Sequence, residues 1–108
     1  MTSITVIKDK NRITAFTCNG HAGYARASED IVCAAISMLV INTINSIEAL
    51  TQTVPIVETD QESGYIHCSF EDDITDEAAL LLDSMILGLS QIKEQSGTKF
   101  IDVKIKEV

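Results

Sequence analysis

His21 and Cys33 are the two side chains of this sequence best suited to covalent chemistry. The histidine sits in a run of small residues, Gly20-His21-Ala22-Gly23, and the cysteine lies in the apolar stretch Ile31-Val32-Cys33-Ala34-Ala35-Ile36. If a helix starts just upstream, Cys33 falls about three to five residues into it, near unpaired N–H groups and the positive end of the dipole, which favour thiolate over thiol. An imidazole folded back beside it can remove the thiol proton or pair with the thiolate. Cysteine is also among the most buried residue types, so plain helix packing is the competing reading of Cys33, as a polar turn residue is of His21.

Asp30 and Ser37 lie three residues before and four after Cys33, which puts all three on one stripe of a helix. Asp30 can orient His21 or satisfy N–H groups at the helix start. Ser37 can reach the thiol or a bound substrate, or bond the carbonyl one turn back. The linker from Gly20 to Glu29 is rich in glycine and alanine. With Gly20, Ala22, Gly23 and Ser28 it reads as a substrate loop, a mobile lid able to carry the imidazole toward Cys33 or move aside.

Cys18 and Cys68 alternate within strand-like segments beside no evident base and read as packing. His67 adjoins Cys68 but belongs to the opposite strand face. The set His21, Cys33, His67 and Cys68 has none of the regular spacing of a zinc site, so no metal centre is expected.

The 108 residues fit one domain, 1–108, with 45% apolar and 22% charged residues. Three cysteines without a CxxC pair fit reduced thiols. No apolar stretch reaches the roughly 18 residues a spanning helix needs, and the Met1-Thr2-Ser3-Ile4-Thr5 start lacks signal-peptide layout, so a cytoplasmic protein without a membrane partner is expected. The formal charge of −8 repels nucleic-acid phosphate and favours basic polypeptides.

These residues need a scaffold. Ile4–Ile7 and Ile13–Cys18 alternate as strands around the polar turn Asp9-Lys10-Asn11-Arg12. A helix is predicted from Asp30 to about Leu50, with its first part apolar on all sides and therefore buried nearly all round. A second strand pair is expected at Val54–Glu58 and Gly64–Phe70, with Pro55 marking an edge. Thr75 caps a second helix whose apolar positions run from Ala78 to Ile92, and Ser96-Gly97 stops it. Phe100–Lys106 alternates as a last strand. The order ββαββαβ predicts an α+β two-layer sandwich, a mainly antiparallel sheet with both helices on one face.

Gly20-His21-Ala22, Asp30-Ile31-Val32-Cys33-Ala34 and the following Ser37 resemble the signature of the ribosomal-processing cysteine protease family, and the likeness extends over nearly the whole chain. One departure is Ser28, where the family usually carries glycine, which would stiffen or better cap the loop hinge. The resemblance implies that Cys33 is the nucleophile and His21 the general base, with Asp30 and Ser37 in support. It implies removal of a short N-terminal extension from the large-ribosomal-subunit protein twenty-seven, with cleavage after an aromatic residue by a homodimer.

In such a scheme the thiolate attacks the scissile carbonyl, amides near the helix start hold the oxyanion, and water hydrolyses the acyl-enzyme. It calls for no cofactor. The alternatives are a non-catalytic ribosome-assembly or peptide-binding protein, in which Cys33 merely fills the helix, and a thiol redox sensor with Cys18 as the resolving thiol.

Overall fold

Lys10 and Asn11 both hold positive φ, 52° and 66°. That is the backbone of a two-residue type I′ hairpin turn, whose twist matches the strands it joins. The computed structural model describes residues 2–20, 27–60, 62–96 and 101–108. The turn joins β1 (Thr2–Asp9) to β2 (Arg12–Asn19), and α1 (Ala27–Leu50), β3 (Pro55–Asp60), β4 (Tyr65–Phe70), α2 (Asp76–Ser96) and β5 (Ile101–Glu107) follow. This is the expected ββαββαβ order in an α+β fold.

The five strands form one sheet in the order β3-β4-β2-β1-β5. Three neighbouring pairs are antiparallel, and β1 runs parallel to β5. Pro55 sits at the start of the edge strand β3, where its missing N–H breaks no ladder. Within the first hairpin Ile7 pairs Ala15 while Lys8 pairs Ile13, so Thr14 is left over as a bulge. The bulge lets Ile13 and Phe16, three apart, both face the core.

One face of the sheet carries Thr2, Ile4, Val6, Phe16, Cys18, Cys68 and Ile101, all buried. They pack against Ile36, Val40, Ile44 and Ile47 of α1 and Ala78, Leu82, Met85 and Leu89 of α2, each set recurring at helical spacing. A Cβ added at Gly88 would lie 2.7 Å from Leu39 Cδ2, so the missing side chain is what lets the helices approach there. Thr75 caps α2 as expected, its Oγ1 accepting from the Ala78 amide at 3.2 Å. On the other face Thr17 Oγ1 and His67 Nδ1 lie 3.0 Å apart in a hydrogen bond.

Two expectations about α1 are corrected. Its first part is not buried all round, since Ile31 is 71% and Met38 66% exposed. In a two-layer fold a helix buries only the sides facing the sheet and its partner helix, however apolar the rest. Interruptions by Ser, Asn and Thr also hid how apolar the segment is as a whole: Ile31–Leu50 has a mean hydropathy of 1.7, long and apolar enough by those measures to span a bilayer. Its Ile36, Val40, Ile44 and Ile47 are instead part of the core.

Candidate active site

The helix carrying Cys33 starts earlier than its pattern implied. Because α1 begins at Ala27, residues Ala27, Ser28 and Glu29 belong to the helix rather than the linker, and Cys33 is its seventh residue. Alanine in a small-residue run reads as loop, yet it is the strongest helix former. At a rise of about 1.5 Å per residue, the seventh position lies about 9 Å along the axis from the first. The unpaired amides belong to the first turn and the dipole field fades beyond it. Cys33 therefore lies beyond the first-turn amides of α1, farther into the helix than expected.

What does meet the thiol is a strand residue. Thr2 Oγ1 lies 3.6 Å from Cys33 Sγ, a hydrogen bond between a buried hydroxyl and a half-buried sulfur. Thr2 shares the inward face of β1 with Ile4 and Val6, and Ile4 pairs with Cys18 across the hairpin. Cys18 is thus near Cys33 as well: its thiol is pushed up to about 11, first by burial and then by the neighbouring Cys33. Sequence reasoning missed Thr2, and the only signal for it was the inward alternation of β1 continuing one step before Ile4.

Gly20 closes the end of β2 against the other hairpin. Its amide donates to the Gly64 carbonyl at 3.0 Å, and a Cβ added there would stand 3.7 Å from Thr2 Oγ1. The chain therefore brings the residue before His21 close to the hydroxyl that contacts Cys33. His21, Ala22 and Gly23 themselves lie outside the described residues. Ser28 and Asp30 are placed in α1 by their backbone. Ser37 is exposed one turn beyond Cys33.

Ser37 opens onto a groove of about 430 Å³ between α1 and the β3–β4 hairpin. Ile41 and Ile44 form one wall, Val57, Tyr65 and Ile66 the other, and Asp60 adds a carboxylate. The walls are apolar because period-two residues of a strand face period-3.6 residues of a helix across an uncovered margin of the layer. A peptide side chain of moderate size fits such a space. No sequence reading singled the groove out, since its two walls are distant along the chain.

His67 and Cys68 do not join this cluster. Their side chains take opposite faces of β4, with Cys68 fully buried and its thiol pushed up to about 12 by that burial. Among the described residues no group of three or more His, Cys, Asp or Glu side chains is arranged to hold a metal.

The family model described as cysteine protease Prp matches residues 1–101. The chain belongs to the cysteine protease Prp family. It is 33% identical over 89 residues to the ribosomal processing cysteine protease Prp of Staphylococcus aureus, a match covering 82% of this chain and 84% of that protein. The crystal structure of the S. aureus protease with a substrate peptide superposes with a TM-score of 0.90 at 29% identity, over 98% of this chain and 100% of that one. A second S. aureus structure, with a covalently linked product peptide, has a TM-score of 0.87 at 30% identity over 98% and 100% of the two chains. Prp membership fixes the class of activity as hydrolysis of peptide bonds by a cysteine protease.

Proposed function

We propose that this Prp-family protease removes a short N-terminal extension from the large-ribosomal-subunit protein twenty-seven in the cytoplasm, cutting after an aromatic residue, with Cys33 as nucleophile and His21 as general base. The observation that carries the reading is a hydrogen-bonded, half-buried thiol one turn of helix from an apolar groove. The covalently linked product peptide of the staphylococcal relative accords with a covalent step.

His21 takes the Cys33 thiol proton, and the sulfur forms a bond to the scissile carbonyl carbon. The C–N bond then breaks, the imidazolium giving its proton to the leaving amine. Water, deprotonated by the imidazole, attacks the thioester and releases the carboxylate and the thiol. Asp30 and Ser37 support the site.

A basic ribosomal extension suits a chain of net charge −8 and a groove carrying Asp60. The enzyme acts as a homodimer, in keeping with the exposed apolar residues Ile31 and Met38 on α1. The test is cleavage of an extended peptide that spans the junction of extension and mature protein. Wild-type enzyme cuts once after the aromatic residue, and Cys33→Ala and His21→Ala do not. Undiminished turnover by Cys33→Ala refutes the nucleophile, and an uncut ribosomal peptide alongside cleavage of other peptides refutes the substrate.

A further inference from the structure

We propose that Thr2 is a catalytic residue, its hydroxyl donating a hydrogen bond to the Cys33 thiolate and fixing the sulfur in position for attack. This rests on the assignment of Cys33 as nucleophile.

Three observations carry it. The first is contact: Thr2 Oγ1 lies 3.6 Å from Cys33 Sγ, and Thr2 is only 3% exposed. A buried hydroxyl needs a partner, and a thiolate accepts a hydrogen bond far better than a neutral thiol does. The interaction therefore strengthens when the sulfur ionises, which raises the share of Cys33 present as the nucleophilic thiolate.

The second observation is rigidity. Thr2 lies in β1 between β2 and β5, paired to Ile101 on one side and next to the Ser3–Asn19 pair on the other. A β-branched side chain there has restricted χ1, so little order remains to be imposed when the anion forms. The third is need. Cys33 is the seventh residue of α1, beyond the first-turn amides. Its sulfur thus draws on another donor, and the strand supplies one. The adjoining Cys18 thiol, pushed up to about 11, stays neutral at physiological pH and sets no competing negative charge beside the thiolate.

The experiment compares Thr2→Val, which keeps the shape without the hydroxyl, with Thr2→Ser, which keeps the hydroxyl. Cys33 alkylation by iodoacetamide is followed by peptide mass spectrometry from about pH 6 to about pH 9, without substrate. Turnover of the extended peptide is measured in parallel. In Thr2→Val the alkylation curve moves to higher pH and kcat falls about 10-fold, while KM changes less than about 2-fold. Thr2→Ser stays within about 3-fold of wild type on both readouts.

A wild-type alkylation curve and kcat in Thr2→Val overturn the proposal, as does a Thr2→Ser variant no better than Thr2→Val. If Thr2→Val does not fold, the pair Thr2→Ser and Thr2→Ala decides, with activity retained in the first and lost in the second. Cleavage by Cys33→Ala removes the nucleophile reading and Thr2's catalytic role together. An inactive Cys33→Ala beside an unchanged Thr2→Val removes Thr2's role alone.

Discussion

The Gly20 amide donates a hydrogen bond to the Gly64 carbonyl at 3.0 Å, tying the residue before His21 to the turn that ends at β4. Gly64 itself has a φ of +68°, and a Cβ there would stand 3.3 Å from the Gly20 oxygen. Gly64→Val therefore combines left-handed strain with a crowded backbone contact. It should cost about 1–2 kcal/mol of stability. Cleavage should fall as the end of β2 shifts. Urea unfolding and peptide turnover, both unchanged, would show that the turn tolerates a side chain.

The two sides of α1 should respond differently to truncation. Ile36 is 1% exposed, and Ile36→Ala should destabilise by about 2–5 kcal/mol. Leu50 at the end of the helix is 74% exposed, and Leu50→Ala should stay within about 0.5 kcal/mol. Chemical denaturation of both variants measures the contrast. Equal losses would mean that α1 is enclosed on every side after all.

Thiol reactivity should be sharply selective. Burial pushes the Cys18 thiol up to about 11 and the Cys68 thiol up to about 12, while Cys33 is half-buried. Iodoacetamide at neutral pH should label Cys33 in the native protein and reach the other two only after unfolding. Labelling of native Cys18 at a comparable rate would contradict its placement beneath α1.

The same burial sets an alkaline limit on stability. A thiol with an ordinary value near 9.0 that rises to about 11 on folding keeps its proton longer in the native state. The unfolded chain then binds fewer protons, so stability is fully present below about pH 9 and declines as pH rises toward about pH 11. Replacing Cys18 with Ala should flatten that decline in denaturation curves taken across the alkaline range. An identical slope would assign it to other groups.

Occupancy of the groove should be sensitive to its bulk and charge. Val57→Trp narrows the space opposite Ile41 and should raise KM several-fold for an extended aromatic peptide. Asp60→Asn should raise KM for lysine-containing peptides more than for their neutral analogues. Steady-state kinetics on matched peptides separates the two effects. If neither variant alters KM, the peptide lies elsewhere.

Much of this architecture is legible in local pattern. The alternation of Ile4 and Val6, the Lys10-Asn11 turn, the Thr75 cap and the recurrence of Leu82, Met85 and Leu89 each follow from backbone periodicity or turn chemistry. Cys33 stands out by its residue type and its surroundings. Thr2 does not, because its importance depends on which helix residue lands above the end of β1. The start of α1 is illegible for a related reason: small residues serve both loops and helices, and only the surrounding packing chooses between them. The groove escapes notice because Ile41 and Val57 meet only in three dimensions.

Because β1 is completed on one side by a parallel neighbour from the far end of the chain, Thr2 finds its partner Ile101 only after nearly everything between them has been made. Pairings so distant along the chain are slow to close. A nascent molecule leaving the ribosome would hold Cys33 over an unfinished sheet until residues 101–107 emerge, so the thiol's surroundings would wait on a strand made long after the thiol itself.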